Sequence, residues 1–362
     1  MSQNGDDAED APLPPVLKAS VHDVRYFAAL LRGVNFVNRG TVTITKTGFV
    51  VMAEEARTLL GTAYIFADDS QNSDPDEDNA AFEIPLNTLI ECLNIFGTAG
   101  YSASASGAGG TTGKYKKWKR AGEDSDQEGD EDDARGRRQS NGTARGIDSY
   151  FGSAAEKGTG MRMTYAGSGY PLTLLIAEDA AGPTTTCEIT TYEAEPHLQL
   201  PFEPDRMQGK PVSPVKSTHQ LRTQSSWLRD ALSELDPSCD KLTFIGNPPP
   251  ATNGKQRRLA DATPMLRIQA AGTFGSTEMD YPNDRDVLET FECTRPVSFS
   301  YRFGHISRTL RAMQSSTKTS LRIDDGGLMS LQFLMPSPRA KTEVAADAFI
   351  EFRCLALDDE LG

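Results

Sequence analysis

Arginines recur on the polar faces of three amphipathic segments. Near 22–32, 226–235 and 304–314, apolar residues repeat at the three- and four-residue spacing of a helix. Arginines fall opposite these apolar stripes, in the pairs Arg25 and Arg32, Arg222 and Arg229, and Arg308 and Arg311. Guanidinium groups at helical spacing suit phosphate contacts that do not read base sequence. For any one helix alone, an ordinary solvated face is the better interpretation.

Residues that could catalyse a reaction or hold a metal are not grouped. The four histidines are dispersed along the chain, and the stretch Gly107–Lys114 imitates a phosphate-binding loop but has Ala108 in place of a required glycine. Carboxylates concentrate in polar runs, where a solvated spacer is commoner than a rigid metal cage. The sequence therefore predicts no catalytic residues, no metal site and no cofactor.

The charge of the chain is unevenly distributed. The net charge is −14, from 51 acidic and 37 basic residues, which argues against a nucleic-acid partner. However, 18 acids lie in 1–15, 68–78 and 121–133, where there is no basic residue. Without them, 33 acidic and 37 basic residues remain. The body of the protein is therefore mildly basic, and its charge permits DNA as a partner.

The cysteines and the hydropathy pattern indicate an intracellular protein. No two of the five cysteines are closer than 52 residues, and the N-terminus is acidic and proline-rich rather than basic and then apolar. No apolar run approaches the ~20 residues needed to cross a bilayer. We expect reduced thiols and no membrane partner.

Helix-like and alternating segments occur in the same order in both halves of the chain. Helices near 22–32 and 86–96 have counterparts near 226–235 and 304–314, and strands of period two lie between them. This pattern predicts an α+β fold of two similar domains. The predicted segments of the chain are an acidic disordered tail, 1–15; domain 1, 16–203, with a disordered insertion at 98–159; a connector, 204–220; domain 2, 221–357; and a tail, 358–362.

Several runs in this order resemble the Rad-one subunit family of the nine-one-one DNA-damage checkpoint clamp. These runs are Ile90–Gly97, Gly167–Leu172, Leu228–Asp236, Thr273–Pro282, and Ser316–Lys318 with Gly327–Gln332. The resemblance covers about 16–97 and 160–357, whereas the insertion, the loop at 68–78 and the connector depart from the compact pattern of the family.

The resemblance implies a PCNA-like sliding clamp. Two topologically similar clamp domains per subunit would place helices along the hole of a heterotrimeric ring and antiparallel sheets outside. DNA-facing residues would then be the six arginines and Lys318. The helix near 86–96 is a departure, because Asn87, Glu91 and Asn94 would give it no positive charge there.

Ring closure would use two sheet edges. The resemblance implies one interface strand near 197–202 and another near 275–281. The residues expected there are His197, Leu198, Leu200, Phe202, Ser276, Glu278 and Asp280.

The insertion contains two candidate motifs. Lys114–Arg120 interleaves five basic residues with two aromatics, which suits nuclear import or DNA contact, although a solvated linker fits equally well. Ile147, Tyr150 and Phe151 have the spacing of clamp-binding peptides, but Ala144 stands where glutamine is usual, and a chance match is the favoured interpretation.

Together these features predict a non-catalytic clamp subunit. It would encircle double-stranded DNA without sequence specificity, join two other clamp subunits, be placed by an ATP-driven clamp loader, and recruit checkpoint and repair proteins in the nucleus. Two alternatives stay open: a 3′-to-5′ DNA exonuclease and a homotrimeric processivity clamp.

Overall fold

Alternating hydrophobic strands and short amphipathic helices build a mixed fold of antiparallel sheets. The structure is a computed structural model that describes residues 15–21, 23–45, 48–66, 80–96, 159–178, 182–202, 219–248, 264–281, 284, 287–336 and 348–358. All of these belong to one compact unit formed by 1–100 and 158–362. None of the described helices is long and apolar enough to span a membrane.

The elements of the first half are listed here: β1 (Leu17–Val21), α1 (Val24–Val34), β2 (Arg39–Thr45), β3 (Gly48–Glu55), β4 (Leu59–Phe66), β5 (Ala81–Pro85), α2 (Leu86–Leu93), β6 (Gly160–Tyr165), β7 (Leu172–Ala177), β8 (Thr184–Ile189) and β9 (Tyr192–Glu193). Those of the second half follow: β10 (His219–Gln224), α3 (Ser225–Ser233), β11 (Cys239–Gly246), β12 (Leu266–Gly272), β13 (Gly275–Tyr281), β14 (Leu288–Glu292), β15 (Val297–Arg302), α4 (Phe303–Arg308), α5 (Leu310–Ser315), β16 (Lys318–Ile323), β17 (Met329–Met335) and β18 (Ala348–Cys354).

The strands form three antiparallel sheets. Two sheets have four strands each, in the orders β1-β6-β7-β8 and β13-β12-β11-β15. The third has ten strands, in the order β14-β10-β16-β17-β18-β4-β3-β2-β5-β9. Its centre is the antiparallel pair of β18 and β4, in which Phe352 lies opposite Gly61. This pair joins the two ends of the chain in one continuous sheet.

Packing of α1 fixes the two halves against each other. Val24, Leu30 and Leu31 are fully buried, and a side chain at Gly33 would overlap Ile350 of β18. The Tyr26 hydroxyl donates to the carbonyl of Met335 at 2.9 Å and accepts from the amide of Ala348 at 3.0 Å. The first helix therefore packs on strands from the other end of the chain.

Two predictions of local structure differ from the fold. The helix expected over 304–314 is divided into α4 and α5 at Thr309, whose hydroxyl and amide both donate to the carbonyl of Ile306. Arg222 was expected on the third helix but lies in β10. The buried side chains of Leu221 and Thr223 flank it with the period of a strand, and α3 begins only at Ser225.

Candidate nucleic-acid interface

The five helices of the described chain form one continuous layer. Helix α1 contacts α2 on one side and α5 on the other, and α5 also contacts α3 and α4. Five of the seven predicted DNA-facing residues lie on these helices: Arg25, Arg32, Arg229, Arg308 and Arg311. The other two, Arg222 and Lys318, lie in β10 and β16, directly before α3 and just after α5. The five cations on helices thus come from both halves of the chain to one layer. Arg222, between the buried Leu221 and Thr223, lies on the sheet face opposite to the one that packs against the helices.

Several of these cations are bound to acids. Asp23 caps the N-terminus of α1 by accepting from the amide of Arg25. It also accepts three hydrogen bonds from the Arg25 guanidinium, the shortest at 2.8 Å from Nη2 to Oδ2. Arg229 pairs with the adjacent Asp230 at 2.8 Å. Neutralisation by a neighbouring carboxylate lowers the attraction of each arginine for a phosphate.

Two further pairs connect residues that are distant in sequence. Arg308 of α4 pairs with Glu55 at the end of β3, at 3.2 Å. Lys318 pairs with Glu289 of β14 at 3.0 Å. Only the proximity of Asp23 and Asp230 to their arginines could be read from the sequence, whereas Glu55 and Glu289 needed the fold.

Arg222 and Arg311 differ from the other cations. Both are exposed, and in the described part of the chain neither has an acidic partner. The Nη1 group of Arg311 donates to the carbonyl of Asn35 at 3.1 Å, which holds the side chain against the end of α1. Within the described ranges, no carboxylate therefore offsets the charge of these two arginines.

The predicted interface strand over 275–281 is present as β13. It is a terminal strand, with β12 as its one neighbour in the sheet. Ser276, Glu278 and Asp280 are exposed on it. Arg267 of β12 binds Asp280 at 2.6 Å and Glu278 at 3.1 Å, so both acids already have a partner on the neighbouring strand.

The segment in which an interface strand is expected, near 197–202, has no regular secondary structure in the chain alone. Leu200 and Phe202 are buried against Leu60 and Leu328. The carbonyl of Leu200 accepts a hydrogen bond from Arg353 at 2.7 Å. In the chain alone, these two apolar residues cover its own ten-stranded sheet. His197 and Leu198 precede this contact, and the Leu198 amide donates to Glu54 at 2.6 Å.

Beneath this segment lies a buried charged cluster. Glu351 is 3 % exposed and pairs with Arg322 at 3.2 Å and with Arg353 at 2.8 Å. The Arg322 guanidinium also stacks on the Phe202 ring, 4.8 Å from its centroid. Burial opposes ionisation of Glu351, but Arg353, Ser330 and Arg322 outweigh it and lower the pKa of this carboxyl.

His305 and Cys354, whose side chains are of types used in catalysis, are buried in the interior of the fold. His305 is buried, with Nδ1 3.7 Å from the Sγ of Cys354. Burial lowers the pKa of His305 and raises that of Cys354 to about 12, so both stay neutral near pH 7. Among the described residues, no three His, Cys, Asp or Glu side chains are grouped as a metal site would require. All five cysteines are free thiols.

The motifs at 114–120 and 147–151 lie outside the described residues.

Comparison with known proteins identifies the family. The sequence profile described as "Repair protein Rad1/Rec1/Rad17" matches residues 16–335. The chain is 30% identical to the DNA repair exonuclease REC1 of Mycosarcoma maydis, over 84% of this chain and 72% of that protein. It is 27% identical to the cell cycle checkpoint protein RAD1 of Homo sapiens, over 93% of this chain and 90% of the relative. It is 24% identical to the DNA damage checkpoint control protein rad1 of Schizosaccharomyces pombe, over 92% and 84%. The chain therefore belongs to the Rad1/Rec1/Rad17 family of repair proteins.

Proposed function

We propose that this protein is a non-catalytic subunit of the heterotrimeric nine-one-one checkpoint clamp. The relatives of Homo sapiens and Schizosaccharomyces pombe are named as checkpoint proteins, which supports this role. The ring would encircle DNA at damage sites in the nucleus and recruit checkpoint signalling and repair proteins. Because the ring must be opened around DNA, an external ATP-driven loader would supply the energy.

The observation that carries the proposal is a repeated sheet topology. The order β1-β6-β7-β8 of the first half recurs as β10-β16-β17-β18 in the second. The order β4-β3-β2-β5 recurs likewise as β13-β12-β11-β15. This correspondence supports two topologically similar PCNA-like domains, over 16–203 and 221–357.

The same correspondence indicates how a ring would close. Inside the chain, β18 pairs with β4. Their equivalents in the opposite halves are β8 and β13, and both are terminal strands of their sheets. If β8 of one subunit pairs with β13 of the next, the contact that joins the halves is repeated between subunits. This replaces the segment at 197–202 as the first interface strand.

The helix layer would then face the DNA. Its cations come from both halves of the chain. Cations spread in this way can contact phosphates along a duplex. Arginine contacts with phosphates hold DNA without reading its sequence. Two other clamp subunits would complete the hole.

A topological experiment tests this proposal. The assembled heterotrimer is loaded on a nicked circular plasmid with the clamp loader and ATP, and the DNA is then cut at one site. A ring that encircles DNA stays on the circle through gel filtration and is lost from the cut plasmid. Equal retention on both forms would show ordinary surface binding and contradict the proposal.

A 3′-to-5′ exonuclease is the second candidate, because one relative is named a DNA repair exonuclease. End-labelled duplex with Mg²⁺ separates the two functions. Degradation that disappears when a carboxylate pair is changed to amides would establish the nuclease, whereas intact DNA supports the clamp. A homotrimeric clamp is tested by the mass of the isolated chain in solution, since a stable self-trimer would favour it.

A further inference from the structure

A polar cavity lies between the end of α1, the start of α2 and the α4–α5 junction. Its volume is about 460 Å³, within the range of small-ligand sites. Arg308 and Arg311 line one wall, and three asparagine side chains, Asn35, Asn38 and Asn87, line others. Both halves of the chain therefore contribute to one recess in the helix layer.

The two arginines of the cavity retain hydrogen-bond donors. Arg308 uses Nε and Nη2 for Glu55, and Arg311 uses Nη1 for the carbonyl of Asn35. A guanidinium has five N–H groups in a planar fork that matches a phosphate. The remaining donors can therefore bind an anion without breaking these contacts.

Helix α2 contributes a side-chain amide, and no cation, to this cavity. The Asn35 amide donates to the Asn87 carbonyl oxygen at 2.8 Å, which links α1 and α2 across the cavity. Amides offer both donors and acceptors, as base edges do. Phe36 adds an apolar wall to the same cavity. Together these groups suit a base and its phosphate better than a phosphate alone.

We propose that this cavity binds one unpaired nucleotide of a DNA strand, with the phosphate between Arg308 and Arg311. This inference rests on the proposed function, since it requires the helix layer to face DNA. A duplex presents its phosphates on a convex surface, whereas a recess of this size admits a nucleotide that has left the stack. The ring would therefore hold gapped DNA more tightly than a continuous duplex of the same length.

The substitution Asn87→Asp tests the cavity with little disturbance. An aspartate keeps the acceptor for Asn35 and adds one negative charge beside the proposed phosphate. Asn94→Asp is the matched control, because Asn94 is exposed on the cap of the same helix and does not line the cavity. The assembled heterotrimer is titrated with a labelled duplex and with the same duplex containing a single-stranded gap.

We expect Asn87→Asp to weaken binding of the gapped DNA about tenfold more than Asn94→Asp does. On the continuous duplex the two variants should be alike. Equal effects of both variants on both DNAs would overturn the cavity while leaving the clamp intact. Failure of the wild-type ring to bind either DNA would instead overturn the proposed function and the inference together.

A second pair of variants checks the arginine wall. Arg311→Ala removes a charge inside the cavity, and Arg222→Ala removes one from an exposed arginine outside it. Only Arg311→Ala should abolish the preference for gapped DNA. Loss of the preference in both variants, or in neither, would contradict a site in this cavity.

Discussion

The Arg308 guanidinium lies 3.2 Å from both carboxylate oxygens of Glu55. The two residues are 253 positions apart in the chain, at the end of α4 and at the end of β3. Their side chains are 47% and 30% exposed, so the pair is screened by water and adds little to stability. Its main consequence is electrostatic, because an acid neutralises one cation of the proposed DNA-facing layer.

Glu55→Gln should therefore strengthen DNA binding. The amide leaves Arg308 with its full charge, and a phosphate contact that Glu55 no longer offsets steepens the dependence of log K on log salt by up to about 0.9. Titration of the heterotrimer with duplex at several salt concentrations measures this slope. Glu178→Gln removes the same charge from an exposed position after β7 and should leave the slope unchanged. An unchanged slope in Glu55→Gln would show that Arg308 does not face DNA.

Arginines with and without acidic partners should differ in their effect on DNA binding. The triple variant Arg25→Ala, Arg229→Ala, Arg308→Ala removes three cations that already have carboxylate neighbours. The single variant Arg311→Ala removes one that has none among the described residues. We expect both to weaken DNA binding, and Arg311→Ala to lose more of the salt slope per residue.

Assembly of the ring is the control for both variants. Each should still form the heterotrimer at its normal size in gel filtration, since these cations lie outside β8 and β13. A salt slope unaffected by either variant would show that the helix layer is an ordinary solvated face.

The strands and helices could be predicted where packing follows local sequence. The alternation of Met329, Leu331 and Phe333 gives β17, and all three side chains are buried. Local pattern failed at Arg222, which lies seven residues before Arg229 and so matched the helix period although the chain there is extended. At 197–202 the expectation came from the family resemblance, and the chain alone shows Leu200 and Phe202 packed on its own sheet.

The charge of the candidate site was less predictable than its position. Sequence placed the arginines on helix faces, but Glu55 and Glu289 reach their partners through the folded sheet. Contacts between distant residues depend on the register of many strands, which no local period contains.

Phe274 is expected to anchor the subunit interface. It is 85% exposed in the turn between β12 and β13, directly before the proposed interface strand. Buried aromatic side chains commonly dominate binding energy at interfaces. Phe274→Ser should weaken heterotrimer formation about tenfold or more while the thermal midpoint of the isolated chain stays unchanged.

Trp227→Ser is the matched control for Phe274→Ser. Trp227 is also a largely exposed aromatic residue, at 48%, but it lies on α3 rather than at a sheet edge. Analytical ultracentrifugation of the mixed subunits measures both dissociation constants. If the two variants assemble equally well, Phe274 is not an anchor.

The buried Glu351 cluster should make stability depend on pH. Because the folded protein lowers the pKa of Glu351 below the ordinary value of 4.5, the ionised carboxylate stabilises the fold above that pH. The contribution is lost as pH falls through the lowered pKa. Glu351→Gln removes the buried counter-charge that Glu351 gives to Arg322 and Arg353, and should reduce the free energy of unfolding by about 3 kcal/mol at pH 7.

Urea denaturation of the wild type and of Glu351→Gln at pH 7 and at about pH 3 measures this contribution. The difference between the two proteins should shrink at the lower pH, because below the ordinary pKa of 4.5 Glu351 of the unfolded chain binds a proton and the folded carboxylate loses its advantage. Glu188→Gln, on the exposed strand β8, controls for general loss of a carboxylate and should differ little from the wild type at either pH. A constant difference for Glu351→Gln across this range would mean that packing or hydrogen bonding, rather than ionisation, carries the contribution of Glu351.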